Sequence, residues 1–176
     1  MRSNPWGKVP YITFPSGFTV YESRAICKYL ATKYSFPLLP STSDAEATAI
    51  FDQAQSIEAQ YFGEPAAKIS FEKFAKQKFM GLPADEAVVA HALAELEKFF
   101  DVVDGILGNK QYMAGDEFTL VDIYYIPLIQ RLFAIGYGHL IQDRKAVSAW
   151  WVKCMNRPAI QKLLAADKAA MAAASK

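Results

Sequence analysis

At 176 residues, 52% hydrophobic and 21% charged, the chain suffices for one domain, or one domain and part of another, around a real core. Its net charge of +1 gives no electrostatic footprint for nucleic acid or an anionic membrane surface, so neither partner is expected. No charged-then-apolar leader opens the chain and no apolar run approaches bilayer-spanning length, while Cys27 and Cys154 stand far apart as free thiols, so the expected location is cytoplasmic.

Taken in order, the first signal is a hairpin. Tyr11 to Phe14 and Phe18 to Tyr21 are rich in β-branched and aromatic residues, and Pro15-Ser16-Gly17 between them supplies the fixed φ and the freedom that a turn needs. Pro10 stands where a strand begins, a place where the ladder loses little to proline. Ser23 offers a hydroxyl at the mouth of a helix whose apolar stripe is Ile26, Tyr29 and Leu30 and which ends near Tyr34. Such a helix start presents free N–H groups and a partial positive charge, a place to hold a carboxylate. Residues 35–43, with two prolines and four hydroxyl side chains, read as a linker.

From Asp44 onward every periodic stretch is helical. Ile50, Ala54, Ile57 and Tyr61 step along one face, which predicts the buried side of a long helix interrupted at Gly63-Glu64-Pro65. Residues 66–80 make a second helical stretch, with Phe71, Phe74 and Phe79 among lysines expected to form a wetted face, and Gly81-Leu82-Pro83 closes it. Val89, Leu93, Leu96, Phe100, Val103 and Leu107 form the cleanest seam, in a helix opened by Asp85-Glu86 and ended around Gly105 and Gly108. Thr119 and Asp122 form a Thr-x-x-Asp capping box at the head of a helix through Ile123, Ile126 and Ile129, with Pro127 inside it. Trp150 and Trp151 anchor a further helix, Asn156-Arg157-Pro158 breaks it, and an alanine-rich tail follows.

The strings Gly7-Lys8-Val9-Pro10, hairpin, Glu22-Ser23-Arg24-Ala25-Ile26 resemble the glutathione-binding half of a cytosolic glutathione transferase, close to the phi class. The run from Ala114 to Ile123 resembles that family's capping-box segment, and residues 62–89 its first C-terminal helices; the resemblance covers essentially the whole chain. It implies an α+β, mostly α, fold: the C-terminal half of a thioredoxin-like domain over residues 1–34, the linker 35–43, and an all-helical domain over residues 44–176. It also implies a cis bond before Pro10, a backbone pairing of Val9 with the cysteinyl unit of glutathione, Lys8 near the glycine carboxylate, and Glu22 with Ser23 on the γ-glutamyl end. The electrophile's pocket is expected at Phe71 and Phe74, flanked by Arg131, where the class usually has an aromatic; an arginine there suits polar or anionic electrophiles. Thr119 and Asp122 are implied to be structural, and a two-fold homodimer is implied, with Arg24 carrying a charge at its contact.

The implied function is conjugation of the glutathione thiolate, as co-substrate, to small hydrophobic electrophiles in detoxification. A thiol of pKa ~8.5 is only about 3% ionised at neutral pH, so a group that favours the thiolate is needed. In the phi class a serine near the first helix of the thioredoxin-like domain does this, and it belongs to a strand–helix–strand that this sequence does not contain. Ser3 and Ser16 are not substitutes, so no catalytic residue is assigned; a longer native chain, or a two-stranded remnant leaning on a partner, is expected. The rival readings are a non-catalytic glutathione- or ligand-binding or regulatory protein on the same scaffold, and an interaction module of an elongation-factor subunit. No GxSxG elbow, Walker loop or GxGxxG is present, and His91 and His139 lack partners at metal spacing, so no metal is expected.

Overall fold

A computed structural model of the chain describes residues 4–174. Strands β1 (Tyr11–Thr13) and β2 (Thr19–Tyr21) pair antiparallel, with Tyr11 opposite Tyr21 and Thr13 opposite Thr19. The turn is built as its residues dictate: Phe14 N–H donates to Phe18 O at 2.9 Å, Gly17 N–H donates to Phe14 O at 2.8 Å, and Gly17 takes a φ of 83°. Phe14 and Phe18 each lie 5.1 Å, centroid to centroid, from Tyr29 of helix α1 (Ser23–Lys33), so an aromatic cluster fastens hairpin to helix.

The expected linker is docked. Leu38 and Leu39 pack against the main core, and the Leu38 carbonyl accepts a 3.0 Å hydrogen bond from Leu120 N–H. Asp44 then caps α2 (Ala45–Ile57), its side chain accepting from Ala47 N–H at 2.9 Å. The predicted interruption at Gly63-Glu64-Pro65 does not occur. The chain stays helical over 45–80, passing through a π-helical segment, Glu58–Gly63, into α3 (Glu64–Ser70), a second π segment, Phe71–Ala75, and α4 (Lys76–Met80). Pro65 lies inside this continuous run, directly after the first π segment, where the wider turn accommodates the backbone donor that proline lacks. Gly81 closes the run at φ 66°.

The buried face is offset from the one predicted, and the offset is present in α2, before the first π segment. Phe51, Ala54, Glu58 and Phe62 point inward, whereas Ile50 and Tyr61 are exposed. Helix α5 (Glu86–Leu107), capped by Asp85, buries Val89, Ala92, Leu96, Phe99, Phe100, Val103 and Leu107: the expected seam with Leu93 only half-buried, plus Ala92 and Phe99 on its flank. Helices α6 (Leu120–Ala134), α7 (His139–Gln142), α8 (Lys145–Met155) and α9 (Pro158–Ala174) follow. One continuous core joins α2 to α8, with Phe62, Phe99, Phe100, Tyr125 and Trp150 as its aromatic centre. Among the described residues no helix is long and apolar enough to cross a membrane.

Candidate functional site

The site begins in the loop before β1. Asn4, buried though polar, organises it: its side-chain oxygen accepts from Trp6 N–H at 3.0 Å, its amide donates to the Lys8 carbonyl at 2.8 Å, and its own carbonyl accepts from Gly7 N–H at 3.0 Å. These bonds hold a loop whose other side chains, Lys8 included, face solvent. The Val9-Pro10 peptide bond is cis, as the resemblance implies. Val9 is 84% exposed, and its backbone N–H and C=O have no partner among the described residues.

The second part is the corner where β2 meets α1. Glu22, not Ser23, is the N-cap, and it holds a φ of 69°, a left-handed conformation that costs a non-glycine residue of order 1 kcal/mol or more. No side chain caps α1. The earliest backbone bond at its start is Ile26 N–H to Glu22 O at 2.9 Å, so the first-turn N–H groups remain available, and Ser23 and Glu22 are both exposed beside them. The corner thus combines a positive φ at Glu22 with first-turn donors that no described side chain caps.

A charged clasp fixes this corner to the helical domain. Arg24 Nε donates to Glu58 Oε2 at 2.6 Å and Arg24 Nη2 to Glu58 Oε1 at 2.7 Å, a bidentate pair with the carboxylate at 0% exposure. Arg24 is therefore ion-paired within its own chain, its side chain still 37% exposed. Burial pushes the Glu58 carboxyl above its ordinary range, while the guanidinium pulls the other way. The Tyr124 hydroxyl donates to the Arg24 carbonyl at 3.3 Å, adding a tie from α6. Cys27, one turn along α1, has its thiol pushed up by burial despite nearby Arg24, and Cys154 is raised by burial too; neither is poised as a thiolate.

The three residues expected around the electrophile are split. Arg131 lies over the Phe74 ring, its Cζ 3.7 Å from the centroid, so α6 and the second π segment bring these two together. Phe71 is turned elsewhere, lining a separate groove of about 340 Å³ with Ala67, Lys68 and Val88. The lysines expected as a wetted face are more ordered than that: Lys68 pairs with Glu64 at 2.9 Å, Lys73 with Glu86 at 2.7 Å and Lys76 with Glu72 at 2.7 Å.

The capping box forms, and it does more than cap. Asp122 Oδ2 accepts from Thr119 N–H at 2.9 Å and from the Thr119 hydroxyl at 3.3 Å; Thr119 Oγ1 accepts from Val121 N–H at 3.3 Å. Asp122 Oδ1 accepts from Met113 N–H at 3.0 Å and Trp150 Nε1 at 2.8 Å, so one buried carboxylate ties α6 to the preceding loop and to α8. Burial pushes its pKa up, against those donors. Asn4 and Glu58 are the working residues that the sequence reading passed over. An Asn two residues before Trp6 is an Asx-turn signal, whereas nothing local marks Glu58.

A hairpin and helix with a cis-proline edge, clasped to an all-helical domain, are the two-part arrangement of a thioredoxin-like segment on a helical domain. Residues 50–158 match the family model "Glutathione S-transferase, C-terminal domain", and residues 1–33 match "Glutathione S-transferase, N-terminal domain". Glutathione S-transferase hmp2 of Hypomyces subiculosus is 40% identical over 154 residues, covering 86% of this chain and 72% of that protein. Glutathione S-transferase F6 of Arabidopsis thaliana is 38% identical over 162 residues, covering 92% and 76%. The solved glutathione S-transferase I from mais, in complex with an atrazine glutathione conjugate, superposes with a TM-score of 0.85 at 32% identity, covering 93% of this chain and 75% of that one. The chain belongs to the glutathione S-transferase family, on its phi-like plant and fungal side.

Proposed function

We propose that this chain holds glutathione along the Val9 edge and the Glu22/Ser23 corner and serves its conjugation to small electrophiles in detoxification, in the cytoplasm. The observation that carries the reading is the uncapped first turn of α1 beside a strained Glu22, next to a strand edge whose backbone groups are free. In this arrangement the γ-glutamyl carboxylate takes the first-turn N–H groups and the Ser23 hydroxyl, while Glu22 faces the ammonium. The Val9 backbone pairs with the cysteinyl unit, Pro10 shapes that edge, and Lys8 attracts the glycine carboxylate. The reaction forms a C–S bond between the thiolate and the electrophilic carbon, whose leaving group departs with its bonding pair. Residues 1–34 act as the glutathione-binding unit, 35–43 as the strap, and 44–176 as the helical wall; these residues bind and orient, and none is assigned to thiol activation.

Amide resonances decide this reading. Added glutathione should perturb Val9, Ser23, Arg24 and Ala25 and leave α8 and α9 unmoved; perturbation confined to the helical domain would remove the assignment.

The same reading includes a homodimer. Its support is an exposed apolar groove of about 600 Å³ between the first π segment, α3 and α5, lined by Ile57, Tyr61, Pro65, Phe99, Val102 and Ile106. Tyr61 and Val102, at its rim, are 62% and 64% exposed. Sedimentation should show twice the chain mass, falling to the monomer for Val102→Glu; a monomeric wild type removes the dimer.

A further inference from the structure

The Phe74 ring carries two cations, and neither has an anion among the described residues. Arg131 Cζ sits 3.7 Å from its centroid and Lys78 Nζ 5.2 Å. Every neighbouring lysine on the same helical run is committed: Lys68 to Glu64, Lys73 to both oxygens of Glu86 at 2.7 Å, and Lys76 to Glu72. Arg131 and Lys78 make no ion pair and no side-chain hydrogen bond among the described residues. Arg131 is moreover half-buried, a poor place for a guanidinium with no carboxylate unless something else supplies one. Stacking on Phe74 occupies only the face of the guanidinium; its in-plane N–H donors keep the fork that grips a carboxylate.

The position of this pair relates it to the corner. Tyr124 and Arg131 lie seven residues apart, on one face of α6 and about 10 Å apart along its axis. Tyr124 touches the Arg24 carbonyl, one residue past Ser23, so the α6 strip begins against α1 and runs to Arg131. Between them Pro127 is exposed and Leu128 half-buried, an apolar floor with a cationic end.

Resting on the function proposed above, we infer that Arg131, stacked on Phe74 and assisted by Lys78, is a specificity-determining anion anchor, and that the electrophiles taken are flat, apolar molecules bearing a carboxylate. The apolar body lies along the α6 strip and the carboxylate is gripped by the Arg131 fork. Such an anion relieves the crowding of two like charges on one ring, and a neutral substrate does not.

Calorimetry with two conjugates tests this: S-(4-carboxybenzyl)glutathione and S-benzylglutathione, against the full chain. The wild type should prefer the carboxylated conjugate about tenfold, as a charge-assisted bond in a half-buried place provides. Arg131→Gln should bring that ratio to about one, Arg131→Lys should restore part of it, and Lys78→Gln should lower it about twofold. An unchanged melting temperature shows that each variant is folded. Equal affinity of the wild type for the two conjugates, or a preference that survives Arg131→Gln, overturns the inference while leaving glutathione binding standing. A second arm uses no glutathione: 2-naphthoate against 2-naphthalenemethanol by ligand-observed NMR. A naphthoate preference lost in Arg131→Gln, with no conjugate bound, keeps the anion anchor and removes the glutathione reading. Failure of both arms removes both.

Discussion

Two acids stand at the heads of two helices in this molecule and are treated in opposite ways. Asp122, in the first turn of α6, is 0% exposed and accepts from Met113, Thr119 and Trp150. Glu22, at the head of α1, is exposed, caps nothing and holds its backbone at a positive φ. Helix starts share the same unsatisfied N–H groups, so the chain satisfies one internally and keeps the other open. The first arrangement contributes stability; the second costs some and leaves donors for a ligand. Between the two lies the Arg24–Glu58 pair, which uses a buried carboxylate to hold the open corner on the packed domain.

The contrast breaks most visibly at Asp122. Asp122→Ala leaves two buried donors and a half-buried one without an acceptor, each buried one costing about 1–3 kcal/mol. Denaturant titration should show a loss of about 4 kcal/mol; a loss under ~1 kcal/mol would mean that the network is ornamental. A smaller effect sharpens the same contrast through pH. Burial raises the Cys154 thiol in the folded state above its unfolded value, so folding favours the protonated thiol. That contribution is whole below the unfolded pKa and is lost as pH rises above about 9. From about pH 8 to 10 the wild type should lose about 1 kcal/mol relative to Cys154→Ala. Cys27, only half-buried, should show less. Equal slopes for wild type and Cys154→Ala would contradict the core burial described here.

What the sequence made legible was local. The hairpin, the α5 seam, the helix start at Asp85-Glu86 and the Thr119/Asp122 box each depend on residues within a turn or two of one another, and each formed where its pattern lay. The helical run 45–80 was misread because Gly63 and Pro65 signal a break, yet the chain passes them in π geometry without leaving the helix. The predicted face of Ile50, Ala54, Ile57 and Tyr61 is offset from the buried one of Phe51, Ala54, Glu58 and Phe62, because a buried acid at 58 hides the true stripe from a hydrophobic pattern. Long-range partners were invisible for a related reason. Glu58 reads as one more helix-surface acid until Arg24, 34 residues earlier, closes on it. At the site, the Glu22/Ser23 corner was visible as a motif, but that Glu22 is the cap and Ser23 the first helical residue emerged only from the backbone. Phe71 and Phe74, three residues apart in a π segment, were expected to share a pocket and line different surfaces.

The central claim, that the α1 corner is kept open for glutathione at little benefit to the fold, is tested most directly by unfolding wild type and Ser23→Ala with and without glutathione. Without ligand the two should agree within about 0.5 kcal/mol, as exposed substitutions usually do. With glutathione at about a hundred times its dissociation constant, the wild type should gain about 2.7 kcal/mol and Ser23→Ala well under half of that. Equal gains, or a Ser23→Ala variant that is already destabilised without ligand, would contradict the account.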